Sequence, residues 1–206
     1  MLNVHEFLDY IENSLLPQKT KYKLGTFFNT KQDGCYLCDC AGLIKAVFWG
    51  YPNNGKYQKD FPDMNANTMI SQCTNVSTNF KGIIPGELVW MTGHIGVYLR
   101  DGVVIECTPK WKNGVQMSYL NNGVNDNVYG LPERKWTKHG MLTKYIDYAD
   151  KQYTENSTNA FLKLINDIID GQYGNGQERV NKLKICGFND QEIELIQECV
   201  NSALKQ

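Results

Sequence analysis

The 206-residue sequence holds no apolar run long enough to cross a bilayer. Its richest apolar stretch, Ala41 to Trp49, is short and carries Lys45, far below the ~20 residues a membrane helix needs. Neither sign of charge is in excess. The 21 Lys and Arg against 22 Asp and Glu leave a formal net charge of −1. That balance argues against nucleic acid, or an anionic membrane, as the main partner. The start of the chain lacks the basic region of a secretory signal. The first Lys or Arg is Lys19, and Glu6, Asp9 and Glu12 stand where positive charge would be. The expectation is therefore a protein made in a reducing cytoplasm. Its seven cysteines are an odd number and cannot all pair. Histidine is scarce as well, with only His5, His94 and His139.

A hydrophobic fraction of 42% with 12% aromatics supplies a packed core and excludes disorder as the main state. The length suits one large domain, or a medium domain plus a small one. No internal repeat is visible. Asn3 and Glu6 have the spacing of a capping box ahead of an apolar stripe at Phe7, Leu8, Ile11 and Leu15, ended by Pro17. Residues Lys19 to Gly34 read as loop, with Gly25 and Asp33-Gly34 as turns. A second helix is predicted over Asp39 to Trp49, stopped by Gly50 and Pro52, and a further short one near Met64 to Thr74. The period then changes. Glu87–Trp90, Ile95–Leu99 and Val103–Cys107 read as antiparallel strands, with further strand-like pieces at Val115–Leu120 and Val128–Gly130. Residues 148–158 are polar and suit a linker. Beyond them the apolar pattern is helical only, in three stretches parted by Gly171–Gly176 and by Gly187 and Asn189. The expected domains are residues 1–147, a linker at 148–158, and a small three-helix bundle over 159–206.

Cys40 follows a capping Asp39 at the first turn of a helix, where the dipole and free N–H groups favour a thiolate. Taken alone, a free cysteine there is more often plain packing. A nucleophilic thiol also needs a base. His94, flanked by Gly93 and Gly96 at the start of a strand, is the histidine that a substrate could approach closely. Asp39-Cys40-Ala41-Gly42-Leu43, Pro85-Gly86-Glu87-Leu88-Val89 and His94-Ile95-Gly96-Val97-Tyr98, in that order, resemble the NlpC-type cysteine peptidases. Tyr22-Lys23-Leu24-Gly25 resembles the element that the family places ahead of its nucleophile. The resemblance covers about residues 19 to 135. It implies an α+β, papain-like catalytic domain, with N-terminal helices packed on an antiparallel sheet. It also implies Cys40 as nucleophile and His94 as base. Tyr22, Asp39 and Gly93 would line the oxyanion and substrate site.

The family's third polar residue lies about twelve positions past the base, where this chain has Glu106. A carboxylate there can orient His94 and stabilise its imidazolium. Strand parity bears on the choice. A two-residue hairpin at Asp101-Gly102 pairs Val97 with Glu106 and turns Glu106 away from His94. A three-residue loop, Arg100-Asp101-Gly102, pairs Gly96 with Glu106 and puts both side chains on one face; that loop is the expectation. An ordinary exposed strand glutamate is the alternative. Cys35 and Cys38 form a C-x-x-C without the second pair that zinc requires, which leaves loop packing or a reversible disulfide. No metal and no cofactor are expected.

Near the C-terminus, Ile169 to Arg179, followed by Leu183 and Gly187-Phe188, resembles the CW-seven repeat of certain phage lysozymes. That resemblance implies a cell-wall-binding unit, with Tyr173, Asn175, Gly176 and Arg179 as contact residues. Arg179 and Asn175 could equally brace the turn. The two resemblances together imply a phage endolysin: a peptidoglycan hydrolase with peptidoglycan as its partner, released to the wall by a holin. Family habit favours the bond from D-γ-glutamate to the diamino acid. The alternatives are an N-acetylmuramoyl-L-alanine amidase, a non-hydrolytic wall-binding scaffold, or a cysteine acyltransferase. A single repeat makes a homodimer, gaining by avidity, a further expectation.

Overall fold

The computed structural model describes residues 1–52, 60–123, 126–127, 129–149, 164–185, 188 and 190–204. The chain opens with β1 (Leu2–Asn3) and α1 (Val4–Tyr10), which runs on as a π-helical turn over Ile11–Leu15. The capping box forms: Asn3 Oδ1 accepts from the His5 N–H at 2.8 Å, and Glu6 accepts from the Asn3 N–H at 3.1 Å. Phe7, Leu8, Ile11 and Leu15 are all buried, as the stripe requires.

A small sheet follows, in the order β2 (Thr20–Tyr22), β4 (Cys35–Cys38), β3 (Phe27–Gln32). It leads into α2 (Cys40–Trp49), whose ten residues are all buried. Helix α2 is therefore a central element and not a surface helix with one apolar side. It packs against β3, against β7 (His94–Arg100) and β8 (Val103–Cys107) of the main sheet, and against α3 (Ala66–Ser71). Lys45 is buried along its stem while its ammonium reaches Asp63 at 2.7 Å.

Among the described residues the main sheet has seven strands, in the order β10-β9-β8-β7-β6-β11-β5. They are β5 (Thr74–Ser77), β6 (Leu88–Met91), β7 (His94–Arg100), β8 (Val103–Cys107), β9 (Val115–Leu120), β10 (Glu133–Arg134) and β11 (Lys138–Met141). One face, with Ile95, Val97 and Ile105, joins the large core under α2. The other carries a smaller cluster that includes Tyr98, Val104 and Trp136. A last strand, β12 (Ile146–Asp147), pairs with β1. Toward the C-terminus lie α4 (described over residues 164–169), α5 (Gln177–Ile185) and α6 (Asp190–Ala203). No helix among the described residues is long and apolar enough to cross a membrane.

This architecture corrects the expected fold class. The chain is α+β, but not a papain-like domain followed by a separate three-helix bundle. The main sheet is mixed, because β10 runs parallel to β9, and two smaller sheets stand beside it. Residues 19–34, expected as loop, build β2 and β3. The C-terminus is helical, yet its buried Ile165, Ile168, Leu183, Ile193, Ile196 and Val200 join the same apolar cluster as the central core. The strand expected at 128–130 is not formed by its described residues, Tyr129 and Gly130; β10 lies further on. Most of the expected linker, 150–158, lies outside the described residues.

His139, which reads in the sequence as part of a Lys-rich turn, is buried on β11. Its Nδ1 bonds the Glu87 carboxylate on β6, and its Nε2 bonds the Asn79 carbonyl at 3.0 Å. Both partners are acceptors, so both ring nitrogens donate and the ring is an imidazolium. Burial alone would lower its proton affinity. Glu87 and Asn79 outweigh that, and the pKa is raised above the ordinary 6.5. Cys73, Tyr98 and Tyr148 are further titratable groups that feel the Glu87 charge. A raised pKa contributes stability that is complete below about pH 6.5 and is lost as pH rises through the folded value. Urea unfolding should show wild-type stability falling as pH rises above about 6.5, and His139→Gln should flatten that slope. Glu87→Ala, which strands a buried charge, should cost about 3–5 kcal/mol at pH 6. An unchanged slope in His139→Gln would contradict this assignment.

Candidate active site

Cys40 opens α2, and Asp39 is its N-cap. One Asp39 oxygen accepts from the Gly42 N–H at 2.6 Å and the other from the Gly25 N–H at 2.6 Å. The Asp39 N–H donates to the Thr26 carbonyl at 3.0 Å. This buried carboxylate therefore ties the Tyr22–Gly25 turn to the helix that carries Cys40. With both oxygens engaged by backbone N–H groups, Asp39 braces the site. Gly42 permits the close approach, since a Cβ there would collide with the Thr26 carbonyl.

The Cys40 thiol is not the preformed thiolate that its helix position suggests. Burial, reinforced by the Asp39 carboxylate, pushes it up to about 11, although the backbone N–H groups of Ile95 and Ala41 pull the other way. The helix terminus is outweighed by desolvation. Contact with the Ile95 N–H also places the sulfur beside the residue that follows His94. Tyr22 stands near it: burial, with Cys40 and Asp39 close by, raises its phenol to about 12 and keeps it an O–H donor.

His94 begins β7 with its side chain mostly buried, and its Nε2 meets Glu106 Oε2 at 2.5 Å. The register is Gly96↔Glu106 and Tyr98↔Val104, which puts His94 and Glu106 on one face with Gly96 between them. The parity is as expected, but its cause differs. The turn is the two-residue Asp101-Gly102, with φ of 48° and 78°, and Arg100 pairs with Val103. A bulge between Tyr98 and Arg100 supplies the extra residue, so Leu99 does what a third loop residue was expected to do.

Glu106 has no exposed surface and is held from three sides. His94 and Arg134 Nη2, the latter at 3.1 Å, both meet Oε2, and Ser118 Oγ donates to Oε1 at 2.6 Å. The carboxylate accepts from the Ser118 hydroxyl and the Arg134 guanidinium, so it meets His94 as an acceptor too. His94 Nε2 therefore carries the proton, and Nδ1 holds the free lone pair. Trp136 stacks on His94 with ring centres 5.4 Å apart and planes at 13°, fixing the ring. What the arrangement can do chemically is take a proton at Nδ1 while Glu106 steadies the ring.

Gly93 lies in the Thr92-Gly93 turn with φ of 74°, open to solvent on its Cα side. Its N–H donates to Asn67 Oδ1 at 3.2 Å, so it is engaged within the fold. Ser118, Arg134 and Trp136 were not anticipated. Ser118 was within reach, since Gln116 and Ser118 alternate beside the pairing position of Glu106 on β9. Arg134 arrives by parallel pairing of a two-residue strand, which leaves no local signature. Among the described residues, no group of three or more His, Cys, Asp or Glu could hold a metal ion. Cys35 and Cys38 are both free thiols.

In the C-terminal segment, Arg179 Nε donates to the Gly174 carbonyl at 3.2 Å and Nη2 to Asn175 Oδ1 at 3.0 Å. Arg179 thus braces the Gly-Asn-Gly turn. Tyr173 packs half-buried against the core, whereas Asn175 and Gly176 are exposed. Residues 163–204 match the CW_7 repeat. The chain therefore carries a cell-wall-binding repeat. No curated protein matches the chain.

The resting state of Cys40 is directly testable. Carboxamidomethylation of Cys40, followed by peptide mass spectrometry, should be slow near pH 7 and keep accelerating past pH 9. A rate that levels off below pH 7 would mean a preformed thiolate and would contradict the burial argument.

Proposed function

We propose that this protein is a peptidoglycan hydrolase that cleaves stem peptides by acyl transfer through Cys40. The observation that carries the reading is the His94–Glu106 pair on β7 and β8, beside a helix-initial cysteine, in a chain that also holds a cell-wall-binding repeat. The NlpC-type motif resemblance supports the same chemistry. In this reading His94 Nδ1 takes the Cys40 proton as the sulfur attacks a peptide carbonyl. The Cys40 backbone N–H and the Tyr22 hydroxyl face the developing oxyanion. The imidazolium then protonates the leaving amine, and water, deprotonated by His94, releases the acyl group from the thioester. Because the thiol starts neutral, proton removal and attack proceed together.

The bond from D-γ-glutamate to the diamino acid is the proposed target. The proposed setting is a phage endolysin, reaching the wall after holin-dependent release and held there by its repeat. Near-neutral net charge adds little electrostatic attraction to an anionic wall, so a dedicated binding unit serves a purpose.

The test is mass spectrometry of muropeptides released from purified walls by wild type and Cys40→Ala. New amino termini on the diamino acid, reduced at least about 10³-fold in the mutant, are expected. Amino-terminal L-alanine on intact stems would move the cleavage to the amide next to the sugar. Equal release by both proteins would contradict the role of Cys40.

A further inference from the structure

The carboxylate that meets His94 also meets a permanent cation, and both contacts fall on one atom. His94 Nε2 and Arg134 Nη2 share Glu106 Oε2 at 2.5 and 3.1 Å. Arg134 reaches it from β10, across β9, with its side chain mostly buried. Its guanidinium lies 5.8 Å from the Trp111 ring and 5.9 Å from the Trp136 ring, and Trp136 also stacks on His94. One aromatic ring thus packs against both nitrogen partners of the same carboxylate.

We propose that Arg134 is a positioning residue that acts on His94 through Glu106: by sharing Oε2 with His94 Nε2 it fixes the carboxylate that orients the ring and offsets its charge, leaving Nδ1 to take the Cys40 proton. The proposal rests on the reading of His94 as the base. A buried carboxylate facing His94 alone would favour the charged ring, which cannot accept a proton. Cys40 is a thiol at rest, so the reaction needs a neutral imidazole to take its proton. Arg134 reconciles the two demands. It keeps Glu106 an acceptor, which fixes the Nε2–H tautomer and leaves Nδ1 free, and it withdraws the electrostatic advantage of protonating the ring. The groups around His94 are Glu106 from β8, Arg134 from β10, the neutral Ser118 hydroxyl from β9 and the Cys40 thiol at the start of α2, next to Ile95.

The test follows the His94 Cε1–H resonance against pH in the full-length protein, for wild type, Arg134→Gln, Arg134→Lys, Glu106→Gln and the Arg134→Gln/Glu106→Gln double variant. Arg134→Gln should raise the His94 midpoint, because a cation is removed beside it, and Arg134→Lys should stay near wild type. Glu106→Gln should lower it, and the double variant should return toward wild type. The acidic limb of kcat/KM for wall hydrolysis should move with the midpoint in Arg134→Gln, whereas a merely structural role would lower activity without moving it. A folded Arg134→Gln protein with an unshifted midpoint overturns the proposal. If Arg134→Gln does not fold, Glu106→Gln decides: a lowered midpoint supports the coupling and an unchanged one overturns it. Should the wild type release nothing from walls, the hydrolase reading fails while the resonance titration still judges Arg134.

Discussion

A carboxylate with no exposed surface sits in the main sheet, and its charge has to be answered by whatever surrounds it. Glu106 is answered by an imidazole, a guanidinium and a hydroxyl drawn from three other strands. Leaving such a group unpaired would cost roughly 3–5 kcal/mol, so the register of β7, β8 and β9 and the placement of β10 are bound to it. The bulge near Leu99 belongs to the same constraint. Without that extra residue the hairpin would turn Glu106 to the opposite face, against the apolar core. The site is thus a consequence of how a buried charge is accommodated.

The other half of the site depends on a second buried carboxylate with a different task. Asp39 spends both oxygens on backbone N–H groups, joining the turn that presents Tyr22 to the helix that presents Cys40. Its negative charge works against thiolate formation at the neighbouring residue, and burial works in the same direction. Rigidity around Cys40 is therefore obtained at the expense of resting nucleophilicity. On the proposed reading, His94 restores it by taking the thiol proton at Nδ1 as substrate arrives.

Much of this was legible in the sequence where the signal is local. The capping box at Asn3 and Glu6, the helix from Cys40 to Trp49 and the strands around His94 and Glu106 follow from caps, glycine stops and β-branched runs. The small sheet was not legible. Phe28 has a left-handed backbone, φ 63°, and the register of β3 breaks between Phe27 and Lys31, so the strand lacks the alternation by which strands are found. Its neighbour β2 is only three residues long. Strand β11 was hidden because His139 is buried through an ion pair, and its flanking lysines read as surface turn. The expected papain-like architecture failed for the same reason. The mixed sheet is completed by short, non-local pairings such as β10 on β9, which no window of sequence displays. The C-terminal repeat was legible as a motif, although the role of Arg179 in bracing its turn emerges only from the geometry.

The central claim is that one chain both holds the wall and cuts it, with Cys40 needed for cutting alone. The most direct measurement is paired: co-sedimentation with purified walls, and loss of wall turbidity, for wild type and Cys40→Ala. The account predicts equal sedimentation of both proteins and turbidity loss with wild type only. Equal clearing by the two proteins, or no clearing by wild type on walls to which it binds, would contradict it.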